Sequence, residues 1–251
     1  MLTPTQIKRN AIIGCFYREL RRFLNDPIQT IFSEVFSDIL LFVVMYLINP
    51  QKIILVMPGI LIFASFNVVF SNLKMTLFVG KIERVMYYQL SAPVSRVNLY
   101  YVYILSSVFR SCIVSCLLFI FFNLFFSGLS IYSPVLFVLF FALANVAFAS
   151  LSALIILHLK NWNEVGAVEN YIKAPLLYLS GCFFSLVAVP KSLTNFIIAN
   201  PLYHFVNIAR YLFSGILEYP VNYSIYYCSI LLVTSACVCA YLFYKGIRLQ
   251  K

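Results

Sequence analysis

Long apolar segments alternate with short polar segments along this chain. A helix needs about 20 predominantly apolar residues to cross the hydrocarbon core of a bilayer. The pattern therefore predicts six membrane-spanning helices, at residues 28–48, 53–79, 99–126, 135–157, 171–189 and 221–244. An even number of crossings places both termini on the same side of the membrane.

The composition supports this interpretation. Of 251 residues, 63% are hydrophobic and 10% are charged, whereas soluble domains carry about 25% charged residues. We therefore expect an all-α polytopic membrane protein, with residues 1–251 forming one transmembrane domain. The seven cysteines lie mostly in apolar segments without CxxC spacing, so neither a metal site nor a disulfide framework is predicted.

The basic residues are distributed unevenly among the loops. The N-terminal segment, the 74–98 loop, the 159–173 loop and the C-terminal tail hold five, four, two and three of the 18 lysines and arginines. The loops on the other side hold only Lys52, Lys191 and Arg210. Because positive residues are retained on the cytoplasmic side, both termini are predicted to be cytoplasmic. The net charge of +10 then follows from topology and does not indicate nucleic-acid binding.

Residues 1–27 precede the first predicted span. Within them, apolar residues recur at helical spacing from 5 to 24, with basic residues elsewhere on the helical wheel; the apolar positions are Ile7, Ala11, Cys15, Phe16, Leu20 and Phe23. This pattern predicts an amphipathic helix lying in the headgroup plane. The alternative is a solvated basic arm.

The predicted cytoplasmic loop at residues 80–98 is long for a connection between neighbouring spans. Its central sequence is KIERVMYYQLSAPVSR, residues 81–96. Charged and apolar residues alternate with a helical period from Lys81 to Leu90, and Pro93 disfavours helix at the residue before it. A short amphipathic helix outside the bilayer either lies flat on lipid or fits a groove on a partner, and the composition leaves both alternatives open.

Residues 190–220 connect the last two spans, but they are too apolar for an exposed loop. Pro190 and Pro201 interrupt them. Two short helices that re-enter the outer leaflet would satisfy their own backbone hydrogen bonds, as the bilayer requires. A seventh complete span is the alternative, but it would place the C-terminus outside and contradict the charge distribution.

Three charged residues fall within predicted spans, namely Glu34 and Asp38 in the first and Arg110 in the third. Glu34 and Asp38 share a helix face. Asp38 and Arg110 both lie about 15 Å from the cytoplasmic ends of their helices, so we expect them to form a pair or to face one polar cavity. A role on a substrate path and a role in holding helices or subunits together both stay open.

The order of these features resembles the type-2 ABC exporter permeases. Three segments carry the resemblance: PGILIFASF at 58–66, GKIERVMYYQLSAPVSRVNLYY at 80–101, and PLLYLSGCFFSLVAVPKSL…NPLYHFVNIARYLFSG at 175–215. It extends over essentially the whole chain. It implies the membrane subunit of an exporter in the bacterial cytoplasmic (inner) membrane, moving a polysaccharide, a lipid or a drug-like substrate.

The resemblance also implies partners. The loop after the second span would carry a coupling helix that docks on a cytoplasmic nucleotide-binding ATPase subunit, with polar contacts from Glu83 and Arg84, an apolar contact from Leu90, and Pro93 setting the exit angle. The N-terminal helix would be an interface helix that also touches the ATPase. Two ATPase copies require two coupling helices, so a homodimer is predicted; a heterodimer stays open.

Catalytic and nucleotide-binding motifs are missing from the sequence. No GxxxxGK[ST] occurs, so ATP and Mg²⁺ are expected on the partner subunit, with no cofactor in this chain. No HExxH or GxSxG motif suggests an enzyme. Two alternatives remain: an ion-coupled secondary transporter using Glu34, Asp38 and Arg110, although no internal repeat is visible, and a haem-export-linked membrane assembly factor.

Overall fold

The computed structural model describes residues 4–91, 93–126 and 131–247. These parts are helical, without β-strands. We number the main helices α1 (Pro4–Asn25), α2 (Ile28–Ile48), α3 (Ile53–Ile82), α4 (Val85–Ser91), α5 (Arg96–Phe125), α6 (Pro134–Leu157), α7 (residues 162–178), α8 (Lys191–Ile198), α9 (Pro201–Ser214) and α10 (Val221–Lys245). Short 3₁₀ turns occur at Pro50–Lys52 and Leu186–Ala188.

Helix α3 is the centre of the bundle. It packs against α2, α5, α6 and α9, and 83% of its most apolar window is buried. The corresponding share is 17% for both α2 and α10, whose outer faces carry large exposed apolar side chains. Such faces are compatible with lipid and not with water.

Five helices in the described ranges are long and apolar enough to cross a membrane, namely α2, α3, α5, α6 and α10. They correspond to five of the six predicted windows. Their apolar residues are concentrated in runs of 21 to 30 residues, which is the length that a bilayer crossing requires.

The prediction of a helix over residues 171–189 is wrong in its boundaries. Helix α7 begins earlier, after the N-cap Asn161, and ends at Tyr178. The next residues turn, because Gly181 adopts a left-handed conformation with φ 76°. Only the 3₁₀ turn Leu186–Ala188 follows before Pro190. The apolar residues of this window therefore lie partly at the end of α7 and partly in irregular chain.

The irregular chain after α7 packs tightly on α3. A Cβ atom at Gly59 would come within 2.8 Å of the Cys182 Cα and closer still to the Cys182 carbonyl oxygen. Glycine at this position lets the two backbones touch. The sequence PGILIFASF thus includes a contact point between the second predicted span and the segment that breaks the fifth.

Helices α8 and α9 occupy the apolar region 190–220, and α9 is almost fully buried. Asn200 links them: its side chain accepts a hydrogen bond from the Leu202 amide at 2.9 Å and donates to the Leu176 carbonyl at 2.8 Å. His204 is held by Ser224 and the Ile198 carbonyl, at 3.1 and 3.0 Å. These contacts fasten the hairpin to α7 and α10.

Helix α1 packs along the side of the bundle, mainly on α5. Ala11, Cys15 and Phe16 lie against the hydrophobic core, and Phe23 is buried within the protein. The apolar face predicted for the headgroup plane is therefore turned largely inward. A second apolar strip, formed by Ile13, Tyr17 and Leu24, is exposed on the other side.

Some predictions fall outside the described residues. Ala92, which precedes Pro93, is one such position. Residues 127–130 and the C-terminal tail from 248, with its contribution to the predicted charge asymmetry, are others.

Candidate functional site: an exposed helix and a buried polar cluster

The predicted loop helix is interrupted in the structure. Instead of running from Lys81 to Leu90, the chain breaks at Glu83 and Arg84, and α4 begins at Val85. Arg84 has φ 60°, a conformation that non-glycine residues rarely adopt. The prediction of one continuous helix is therefore wrong, because a tight turn at Glu83 and Arg84 separates α3 from α4.

Buried contacts hold both sides of this turn. On the α3 side, the Lys81 ammonium donates to the Leu157 and Leu159 carbonyls at the end of α6, at 3.2 Å each. On the α4 side, Met86 and Gln89 face the protein. Helix α4 is thus held in place by packing against the rest of the protein.

The outer face of α4 is broad and aromatic. Tyr88 is 80% exposed, and Val85 and Tyr87 are also exposed. Beside them lies a cavity of about 570 Å³ lined by Lys81, Ile82, Arg84, Tyr87 and Tyr88. An exposed aromatic and cationic surface on a fixed helix is the kind of surface that protein interfaces use.

The four predicted docking residues occupy different environments. Glu83, Arg84 and Pro93 are exposed, as a role in partner contact requires. Leu90 is only partly exposed and packs against the hydrophobic core. The geometry favours Tyr87 and Tyr88, which the sequence analysis did not single out, as the apolar contacts on this face. The roles of all four residues stay predictions.

The intramembrane charges pair differently from the prediction. The Arg110 guanidinium donates to the Glu34 carboxylate at 3.0 Å and to the Thr30 carbonyl at 2.9 Å. It also lies 4.9 Å from the ring centroid of Phe23. Glu34, and not Asp38, is therefore the partner of Arg110. A helical side chain leans toward the N-terminus of its own helix, which brings Arg110 down to the level of Glu34.

Asp38 faces a separate polar cavity. No ion pair joins Asp38 to another residue in the described ranges. The cavity has a volume of about 370 Å³ and is lined by Ser37, Asp38, Phe63, Asn67, Glu169, Lys173, Ala174, Leu177 and Tyr178. It lies between α2, α3 and α7. Carboxylate, amide, ammonium and aromatic groups together could bind a polar ligand.

The cationic side of this cavity is built by α7. Lys173 lies over the Phe70 ring, 5.0 Å from its centroid. Glu169 forms an ion pair with Lys74 at 2.6 Å. Glu169 also contributes to the lining of the cavity.

The pairing leads to a matched prediction for two carboxylates. We expect Glu34→Gln to lower the free energy of unfolding by about 3 kcal/mol, because it leaves Arg110 buried without its counter-charge. Asp38→Asn should be neutral or stabilising, because it removes a buried charge that has no ion-pair partner among the described residues. Thermal unfolding of the two purified variants in detergent checks this. Equal destabilisation by both would contradict the assigned pairing.

A second buried arginine was not singled out by the sequence analysis. Arg210 is 0% exposed. It pairs with Glu218 at 2.9 Å and donates to the carbonyls of Leu55, Gly181 and Phe184. Glu218 in turn accepts the Leu186 amide at 3.1 Å. The sequence feature that could have indicated this ion pair is an arginine within an apolar segment, followed by a glutamate eight residues later.

A comparison with known protein families agrees with this architecture. The family model described as ABC-2 type transporter matches residues 10–214, which include α4, the polar cluster and most of the hairpin. The chain belongs to the ABC-2 type transporter family. This is a family of transport permeases and not of enzymes, as the missing catalytic motifs predict.

Individual relatives in this family are similar at low identity. The inner membrane transport permease YadH of Escherichia coli K12 is 24% identical over 220 residues, covering 84% of this chain and 86% of that protein. The YadH of Shigella flexneri matches to the same extent. The name of these relatives places them in the inner membrane, and five membrane-capable helices fit the same location for this ABC-2 chain.

Proposed function

We propose that this chain is the membrane-spanning subunit of an ATP-driven exporter in the bacterial inner membrane. The observation that carries the proposal is the surface of α4 in a member of the ABC-2 family. A fixed, exposed helix with Tyr87 and Tyr88 on its outer face, next to the exposed Arg84 of the preceding turn, suits the docking of a separate ATP-binding subunit. Hydrolysis on that subunit would move α4, and α4 would move the bundle.

The orientation follows from the charges. With α1 and the C-terminal tail both basic, both termini belong on the cytoplasmic side, which requires an even number of crossings. Five long helices therefore need a sixth. Helix α7 is 17 residues long, or about 26 Å, slightly short of the hydrocarbon core of about 30 Å. The re-entrant hairpin of α8 and α9 completes the crossing at the outer side.

The active assembly is a homodimer with two ATP-binding subunits. One chain offers one α4 surface, whereas ATP-binding subunits work as pairs in the resembling exporters. The large exposed apolar area of α2 provides a face that a second copy or lipid would cover.

The cavity beside Asp38 is the proposed start of the export path. It combines hydrogen-bonding groups with the rings of Tyr178 and Phe63. A polysaccharide, a lipid headgroup or a drug-like molecule fits that chemistry.

Affinity purification from native membranes tests the proposal. We expect an ATP-binding subunit to co-purify in a one-to-one ratio with the chain and to show ATP hydrolysis that orthovanadate abolishes. Substrate accumulation in inverted vesicles should then depend on ATP and persist when a protonophore collapses the proton gradient. Transport that needs the proton gradient, with no ATP-binding subunit bound, would instead support an ion-coupled transporter.

A further inference from the structure

Helix α1 contributes a buried carboxylate at the point where four helices meet. Glu19 is 5% exposed and shares the inward face of α1 with Cys15, Phe16 and Phe23. Its two oxygens pair with Arg18 at 2.5 Å and with Arg22 at 3.1 Å. It also accepts a hydrogen bond from the Thr76 hydroxyl on α3, at 3.3 Å. A carboxylate is rarely buried unless it is paired, and here the pairing extends in two directions.

In one direction, the contacts reach α4. The Gln89 side chain lies between Arg18 and the Tyr103 hydroxyl on α5. With its amide oxygen turned toward α1, Gln89 accepts from both terminal nitrogens of the Arg18 guanidinium, and its amide nitrogen donates to the Tyr103 hydroxyl. The buried side of α4 is therefore bonded to Glu19 through one arginine.

In the other direction, the contacts reach into the bundle. The Arg22 guanidinium donates to the Thr76 hydroxyl at 2.7 Å and to the Asn72 amide oxygen at 3.3 Å. The same Asn72 oxygen accepts from Arg110 at 3.4 Å, and the Asn72 amide nitrogen donates to Ser107 at 2.7 Å. Arg110 then holds Glu34 in α2.

A continuous chain of polar contacts thus runs from α4 to the first membrane helix. We call it the relay, formed by Gln89, Arg18, Glu19, Arg22, Thr76, Asn72, Arg110 and Glu34. Its members lie on α1, α2, α3, α4 and α5. Glu19, Asn72 and Arg110 are buried, whereas the Arg18 and Arg22 side chains are 43% and 42% exposed, so the strongest contacts are those at Asn72 and Arg110, where less water competes. Moving α4 without α1 would break the contact between Gln89 and Arg18, beside the buried carboxylate of Glu19.

We infer that Glu19 is a positioning residue that transmits displacement of α4 to the Glu34–Arg110 pair and to the cavity beside Asp38. This inference rests on the proposed docking of an ATP-binding subunit to α4. Helix α1 acts as a strut in this mechanism, because the relay makes α1, α4 and the inner ends of α3 and α5 move as one body. The carboxylate of Glu19 forms ion pairs with both Arg18 and Arg22. The substitution Glu19→Gln removes the negative charge and therefore weakens both contacts.

The experiment compares the parent chain and its variants, each in complex with the ATP-binding subunit in lipid nanodiscs. Ser37 is exposed at the edge of the Asp38 cavity, and Ser37→Cys reports on that cavity through its labelling rate with a water-soluble maleimide. Cys116 and Cys237, which are exposed, are replaced by serine, and the same chain without Ser37→Cys gives the background. The labelling rate is measured without nucleotide and with ATP plus orthovanadate.

We expect the labelling rate of the parent chain to change at least threefold between the two nucleotide states. With Glu19→Gln the change should fall below 1.5-fold, while the ATP-binding subunit still co-purifies and hydrolyses ATP. The matched control is Glu164→Gln, a partly exposed carboxylate at the start of α7 that lies outside the relay and accepts from the Lys160 amide; it should behave like the parent. Should Glu19→Gln fail to fold, Gln89→Leu opens the relay at its α4 end and should give the same loss of response.

The possible outcomes separate the two claims. A parent chain that binds no ATP-binding subunit overturns both the proposed function and the relay. A parent chain that binds the subunit and responds to nucleotide, with Glu19→Gln and Gln89→Leu responding equally, overturns the relay alone. A bound subunit without any change in labelling of the parent chain also overturns the relay. Loss of the response with binding intact supports it.

Discussion

Arg210→Leu is expected to lower the free energy of unfolding by about 3–5 kcal/mol, because it leaves the Glu218 carboxylate buried without its counter-charge. It also removes the donor to three backbone carbonyls, those of Leu55 in α3 and of Gly181 and Phe184 in the irregular chain after α7. Each unsatisfied buried acceptor adds its own cost. For a chain of this size we expect the midpoint of thermal unfolding to fall by roughly 6–20 °C.

A double variant sharpens this prediction. Arg210→Leu combined with Glu218→Leu removes both charges, so it should recover part of the lost stability. Arg21→Leu, on the exposed face of α1, is the control and should change the midpoint by less than about 2 °C. Thermal unfolding in detergent, followed by the monodisperse fraction on size-exclusion chromatography, measures all three. An Arg210→Leu variant within about 1 kcal/mol of the parent would contradict the assigned role.

Tyr88→Ala is expected to reduce co-purification of the ATP-binding subunit at least tenfold. Tyrosine side chains at the centre of an interface commonly contribute about 2 kcal/mol or more to binding, and Tyr88 is the most exposed aromatic residue on α4. The stability of the chain itself should be unchanged, because the side chain packs on little of the protein. Binding is measured by the ratio of the two subunits after affinity purification.

The matched control for Tyr88 is Tyr226→Ala. Tyr226 is similarly exposed, at 70%, but it lies near the start of α10, at the opposite end of the bundle. This substitution should leave the subunit ratio within twofold of the parent. If both substitutions reduce the ratio equally, the α4 surface has no special role in binding.

The helical spans were predictable because their signal is local. A run of apolar residues that is long enough to cross a bilayer has few alternatives in lipid, so the windows at α2, α3, α5, α6 and α10 were recognised. Asn161 caps α7, and Asn25-Asp26-Pro27 separates α1 from α2, as residues of these types commonly do. The presence of Glu34, Asp38 and Arg110 inside spans was also visible directly.

The features that were missed depend on tertiary contacts. The predicted helix over residues 171–189 is as apolar as the other predicted spans. It ends early because Arg210 of α9 binds the carbonyls of Gly181 and Phe184, which a continuous helix would have used for its own hydrogen bonds. The break at Arg84 depends on how Lys81 anchors the end of α3. The partner of Arg110 depends on side-chain direction, which a count of residues along each helix does not include.

The contacts of Glu19 in the relay could not be predicted from the sequence either. Glu19 appeared in the sequence as one charge in a basic amphipathic segment. Its burial follows from the packing of α1 on α5 and α3, and nothing in its immediate neighbours indicates that Thr76 and Asn72 lie opposite. Long-range polar contacts of this kind are specified by the fold as a whole.

Photo-crosslinking from position 88 tests the central claim most directly. A benzophenone amino acid replaces Tyr88 in one chain and Tyr226 in another, and inverted membrane vesicles are irradiated. We predict that the 28.8 kDa chain becomes linked to an ATP-binding subunit from position 88 and not from position 226. Crosslinks from position 88 to lipid alone, or labelling of that position only from the periplasmic face, would contradict the account.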